Sequence, residues 1–206
     1  NPNGNLRGSK GTLYEGGLRV PGVIEWPSVI KEPRHTGLPC FTSDIFPTLL
    51  DVLGIPLPDR PFDGMSLRPL IENQAQPPRP TPIGFWKYAS GGERENKPWM
   101  DPESIHGTTP TTKRDRIQFT NYHHPAAKTK DFGGEAAWLD TRYKLIAGKN
   151  KTELFDIVED PLETVDLAEN EPEIVAKMTQ GLHEWQRSVE RSLTGADYGA
   201  VIANKG

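Results

Sequence analysis

Apolar positions change period along the chain, and each change predicts an element. Over 18–26, LRVPGVIEW, loose alternation with Val23, Ile24 and Trp26 predicts a short buried strand interrupted by Pro21 and Gly22. Over Thr42–Gly54, TSDIFPTLLDVLG, apolar residues at 45, 46, 49, 50, 52 and 53 follow a helical period, so Ser43–Leu53 reads as a helix. Ser43 or Asp44 can cap it and Gly54 can end it. Pro47 falls in the first turn, where its missing amide hydrogen has no intrahelical acceptor to lose. Pro56, Pro58, Pro61 and Pro69 then prevent regular structure except for a short turn at SLRPLI.

The run QAQPPRPTP, Gln74–Pro82, holds four prolines in nine residues, which stiffens it toward polyproline II. It divides the chain into a first part, 1–75, a linker, 76–82, and a smaller second part, 83–206. IGFWKY, Ile83–Tyr88, alternates as a strand does. Residues 89–135 lack apolar periodicity, and loops of that length are usually functional or disordered. Short apolar runs around Trp138, Tyr143–Ile146 and Leu154–Ile157, separated by turn residues, predict an antiparallel meander. Ile174, Met178, Leu182, Trp185, Val189 and Leu193 recur every three or four residues, predicting a helix over Pro172–Leu193 whose single apolar stripe packs on the meander. Asn170 can cap this helix and Gly195 can end it. Trp138 and Trp185 are read as core.

Composition narrows the function classes. With 24 Lys and Arg against 28 Asp and Glu, the net charge is -4, without the basic surplus of a nucleic-acid binder. Twenty Gly and twenty Pro with 34% hydrophobic residues indicate folded elements joined by long connections. The lone Cys40 precludes an intrachain disulfide and makes a structural zinc site improbable. No apolar run reaches the ~20 residues of a membrane span, and NPNGNLRG has no signal-peptide pattern. The chain does not begin with Met and opens inside a glycine-rich loop, which suggests a piece of a longer polypeptide.

That loop, GSKGTLYEGGLRVPG, sets Lys10 among five glycines. Such glycine density suits a backbone shaped to approach a ligand closely. In order along the chain, KGTLYEGGLRVPGVIEWP, TSDIFPTLLDVLGIPLP, FDGMSLRPLI, and YKLI with ELFDIVEDPLETVDLA closely resemble the C-terminal part of the type I, formylglycine-dependent sulfatases of the alkaline-phosphatase superfamily. The likeness is strong from Leu6 to about Leu70 and fair from Tyr143 to Leu193. It implies an α/β fold class for 1–75, as the end of the large sulfatase domain. It also implies an α+β C-terminal subdomain, an antiparallel sheet packed against the last helix. Residues 89–135 match no pattern of the family.

By this resemblance, Lys10 is the catalytic lysine that reaches the substrate's sulfate. An ammonium is a compact point charge suited to an anionic ester oxygen. The family's nucleophile is a cysteine converted to formylglycine within Cys-x-Pro/Ser-x-Arg. Here PCFTSD has Thr42 and Asp44 where that motif needs Pro or Ser and Arg, so Cys40 is not that residue. The resemblance therefore puts the formylglycine and the calcium ligands upstream, on the chain's own N-terminal sulfatase segment, which becomes its first partner. The complete protein would hydrolyse the sulfate ester of a small molecule or a carbohydrate, and this piece alone would be inactive. Such enzymes are commonly periplasmic, secreted or lysosomal. The alternatives are a phosphoester or phosphonate hydrolase of the same superfamily, or a non-catalytic accessory module.

Other residues divide between chemistry and structure. His106, His123 and His124 are candidate substrate contacts, because imidazole titrates near neutrality and the subdomain walls the substrate pocket in this family. Adjacent His123 and His124 point opposite ways on an extended chain, which disfavours a metal site. TTKRDR, Thr111–Arg116, could meet an acidic substrate but reads first as a solvated face. Glu15 and Arg19 read as a structural ion pair, Asp44 as a helix cap, and His35 as part of a solvated turn.

Overall fold

The computed structural model describes residues 3–72, 78–87, 134–148, 150–194 and 196–197. His106, His123, His124 and the Thr111–Arg116 run lie outside the described residues. In chain order the elements are α1 (Glu15–Leu18), a 3-10 turn (Thr42–Asp44), α2 (Ile45–Val52) and α3 (Arg68–Ile71). They are followed by β1 (Ile83–Trp86), β2 (Ala136–Leu139), β3 (Tyr143–Ala147), β4 (Thr152–Asp156) and α4 (Pro172–Leu193).

The four strands form one antiparallel sheet in the order β1-β2-β3-β4, with Ile83 opposite Leu139, Trp138 opposite Leu145, and Leu145 opposite Leu154. The predicted sheet packed against the last helix is present. Its two faces carry different residues, as the two-residue period of a strand requires. Ala136, Trp138, Leu145 and Leu154 pack against Met178 and Leu182 of α4. Ala137, Ile146 and Phe155 face the other way, onto Leu13 from the glycine-rich loop. The sheet is therefore the middle layer, with α4 on one face and the Lys10 loop on the other. Because both faces are covered, Ala136–Leu139 is buried throughout, and its sequence reads as a continuous apolar run.

Helix α4 begins with Pro172 at a position where no amide hydrogen is needed. The predicted Asn170 cap is not formed. Glu171 holds the N-cap position without a side-chain cap, while Glu173 in the first turn and Arg191 in the last complement the helix dipole. Trp138 is buried, as predicted, and Trp185 packs partly buried against the same core. Trp185 stacks on Trp86 with ring centroids 4.1 Å apart and donates its indole N–H to Asp63 Oδ1 at 3.1 Å. A Cβ on Gly84 would lie 2.4 Å from the Trp185 ring, so the stack requires the strand to be bare there.

Two expectations fail in the first part. Residues 19–26 form no strand. Past α1 the chain is irregular, with Val23 92% and Val20 78% exposed, because no described strand hydrogen-bonds to it and Pro21 offers no donor. Asp44 does not cap α2 through its side chain. It is fully buried and accepts from both arms of the equally buried Arg79 guanidinium, at 2.7 and 2.9 Å. It also accepts from the Phe41 and Met65 amides. Arg79, from the proline-rich run, donates further to the Pro39 and Thr81 carbonyls, and its own amide donates to Thr141 Oγ1. That buried pair anchors the proline-rich run beside the start of α2. Helix α2 otherwise follows its prediction, with Pro47 in the first turn and Gly54 at φ +67 beyond its end.

Candidate functional site

Lys10 stands at the tip of a tight turn. The Thr12 amide and hydroxyl both donate to the Ser9 carbonyl, at 3.0 and 2.8 Å. Gly11, third in that turn, has φ +93, the region that suits glycine at this position of a type II turn. Helix α1 folds back against the turn, where a Cβ on Gly17 would come within 2.2 Å of the Thr12 carbonyl oxygen. Bare glycine permits that approach. The result is an exposed Lys10 side chain that makes no hydrogen bond or ion pair among the described residues, on a backbone that is internally braced. A free ammonium held on a rigid turn is suited to meet an anion without first breaking a bond.

Both feet of the turn are fastened to the sheet. On the N-terminal side, the Arg7 guanidinium lies 4.0 Å from the Tyr14 ring centroid. It donates to the Glu163 backbone carbonyl at 2.9 Å and to Glu153 Oε1 at 3.3 Å. The Tyr14 hydroxyl donates to Glu153 Oε2 at 2.7 Å. Burial, with the neighbouring Glu153 carboxylate, pushes the Tyr14 pKa up to about 12. Burial alone would raise the Glu153 pKa as well, but the Lys151 ammonium, the Tyr14 hydroxyl and Arg7 together hold it below the usual carboxylate range.

On the C-terminal side, Glu15 is buried. Its backbone amide donates to Glu163 Oε2 at 2.7 Å, and its carboxylate accepts from Lys144 Nζ at 2.8 Å. Lys144, from β3, is fully buried and also lies 2.6 Å from Glu163 Oε1. The predicted Glu15–Arg19 pair exists at the rim, at 3.7 Å, and balances the second carboxylate of the cluster. Sequence reading missed Lys144 and Glu163. A signal was present, because Lys144 shares a face with Ile146 in an otherwise apolar strand, and such a lysine needs a buried acid.

The other candidates fall elsewhere. His35 is exposed in irregular chain. Cys40 is exposed and donates its thiol to the Leu38 carbonyl, while surrounding protein and the nearby Asp44 push its pKa up, away from nucleophilic use. Among the described residues, no group of three or more His, Cys, Asp or Glu side chains could hold a metal ion. Calcium therefore does not fit these residues, and no chemistry is assigned to it here. No described helix is long and apolar enough to cross a membrane.

No family model matches the chain. Curated proteins do: human steryl-sulfatase is 45% identical over 75 residues, 36% of this chain and 13% of that protein. Human arylsulfatase D is 44% identical over 72 residues, 34% of the chain and 12% of its own length. Human arylsulfatase A is 42% identical over 85 residues, 41% and 17% respectively. The chain thus spans well under a fifth of the curated relatives it matches. Among solved structures, a putative sulfatase from Bacteroides thetaiotaomicron superposes with a TM-score of 0.41 at 20% identity, covering 72% of this chain and 25% of that one. A phosphonate monoester hydrolase of Agrobacterium radiobacter gives 0.39 at 20% identity, covering 71% and 24%. Neither superposition is close enough to separate the two chemistries. The sequence matches do identify the chain: it is a sulfatase C-terminal portion.

Proposed function

We propose that the complete protein hydrolyses a sulfate ester and that Lys10 meets the substrate's sulfate group. The observation that carries this reading is the free, exposed ammonium of Lys10 on a turn braced at both feet. In the reaction, the bond between sulfur and the leaving oxygen breaks and negative charge grows on that oxygen. A fixed cation beside it stabilises the transition state more than the ground state, and it needs no reorganisation to do so. The substrate class is a sulfated small molecule or carbohydrate, supported by the sulfatase relatives.

The chain's own upstream segment is the partner in this reading. Residues 1–75 form the end of the large domain, 76–82 the linker and 83–206 the smaller subdomain. Ile45, Phe46, Leu49 and Leu53 on α2, with Val20, Val23 and Ile24, are exposed apolar side chains that such a segment would cover. Formylglycine and calcium belong to that segment, and His106, His123 and His124 remain proposed substrate contacts. A periplasmic, secreted or lysosomal location follows from the same relationship.

The test is aryl-sulfate hydrolysis by the full-length protein, co-produced with a formylglycine-generating enzyme, beside its Lys10→Ala variant. The variant should lose on the order of 100-fold in kcat, as when other electrostatic stabilisers are removed. Equal turnover by both would remove Lys10 from the sulfate. A full-length sequence without a modifiable cysteine would redirect the reading to a phosphoester hydrolase or an accessory module.

A further inference from the structure

One residue touches both feet of the Lys10 turn. The Glu163 backbone carbonyl takes the Arg7 guanidinium on the N-terminal side, and its side chain takes the Glu15 amide on the C-terminal side. The same carboxylate pairs with Lys144, which in turn pairs with Glu15. Glu163 is fully buried, and its backbone has φ +55, a left-handed conformation uncommon for a glutamate. Such a conformation persists only where surrounding structure over-determines it, and it clusters at sites with a mechanical task. Here the Glu163 amide donates to the Asp160 carbonyl, and Asp160 organises the loop by accepting from the Thr164 and Val165 amides. The loop after β4 is thereby held in the one shape that aims Glu163 at both feet.

Burial sharpens the requirement. A charged lysine enclosed in a sheet face is tolerated only when paired, and Lys144 has two carboxylates, one from each segment it must join. Apolar side chains could have filled the same space between loop and sheet, but they would leave the loop free to slide. Directional bonds at fixed atoms set its register, and register decides where the Lys10 ammonium stands.

We propose that Glu163, acting with Lys144, is the positioning residue for Lys10: it clamps both feet of the turn to the sheet so that the ammonium is held at one place relative to the reacting ester. This rests on the assignment of Lys10 as the sulfate contact. A displacement of about 1 Å in a catalytic group can cost roughly 100-fold in rate, so a loosened clamp should lower kcat while leaving the fold intact.

The test is a double-mutant cycle in the full-length protein, with kcat and KM measured on an aryl sulfate. Glu163→Gln and Lys144→Met, each alone, should lower kcat by roughly tenfold or more. In the Lys10→Ala background the same substitutions should change kcat by less than about twofold, because their effect passes through the lysine. Losses that simply multiply in the two backgrounds would overturn the proposal. Should these variants fail to fold, Arg7→Met releases only the N-terminal foot, from a half-exposed site, and the same non-multiplying pattern is expected. Amide hydrogen exchange separates the clamp from the assignment of Lys10. If Lys10→Ala alone leaves kcat unchanged, the sulfate reading fails. The clamp is then judged by faster exchange over Gly8–Leu13, with Pro172–Leu193 unaffected, in Glu163→Gln or Arg7→Met. Unchanged exchange in the loop would overturn the clamp itself.

Discussion

Replacing Arg79 by methionine should destabilise the protein far more than a surface arginine would. Both side chains of the Asp44–Arg79 pair are fully buried, and the guanidinium meets the carboxylate through two parallel bonds of 2.7 and 2.9 Å. Removing it leaves the Asp44 carboxylate enclosed with two backbone amides, those of Phe41 and Met65, as its remaining described donors. A buried charge stripped of its counter-ion costs about 3–5 kcal/mol. Methionine refills part of the volume but cannot donate to the Pro39 and Thr81 carbonyls, so the upper half of that range is expected. For a chain of this size about 1 kcal/mol moves Tm by 2–4 °C, which puts the fall near ~10–15 °C. Thermal unfolding followed by near-UV circular dichroism, with a urea titration at neutral pH, measures it. Adding Asp44→Asn to the Arg79→Met variant should recover part of the loss, because the amide removes the stranded charge. A loss in Arg79→Met below about 1 kcal/mol, the range of exposed ion pairs, would refute the reasoning. So would a further loss when the charge is neutralised.

Three more expectations follow from the same contacts. Gly84→Ala places a methyl about 2.4 Å from the Trp185 ring, and overpacking of this kind costs about 1–3 kcal/mol. Tryptophan fluorescence and Tm should both change, and an unchanged pair would show that the Trp86–Trp185 stack does not form in solution. Glu153 has a depressed folded pKa, so its contribution is present above the ordinary carboxylate value of about 4.3 and lost as pH falls through the folded value. Urea midpoints measured down the acid limb should therefore fall less steeply in Glu153→Gln than in the parent. Tyr14 behaves in the opposite sense. Its raised pKa of about 12 contributes stability that is present below the unfolded value of about 10 and lost as pH rises through the folded one. A spectrophotometric titration should show one late phenol, absent from Tyr14→Phe, and a variant that retained it would assign the shift to another tyrosine.

What the sequence determined by itself was whatever depends on neighbours a few residues away. Periods of two and about 3.6 located the β2–β4 meander, α2 and α4, because each element's own spacing sorts its apolar side chains onto a face. The Lys-Gly pair at the tip of the Ser9–Thr12 turn was legible for the same reason, since a positive φ is a local demand. Tertiary structure decided the rest. A strand over 19–26 needs hydrogen bonds from a partner strand, which no described residue provides, and its alternation alone could not reveal that. Asp44 looked like a cap because a cap is a local role, yet its charge is met by Arg79, 35 residues away in a proline-rich run that carries no pairing signal. Lys144 could be seen to face inward, but its acids arrive from Glu15, 129 residues earlier, and from a loop beyond β4. Long-range charge pairing depends on where loops return to the sheet, and chain topology sets that return. The Lys10 turn could be read from its own residues; what holds it in place appears only when the two ends of the chain meet.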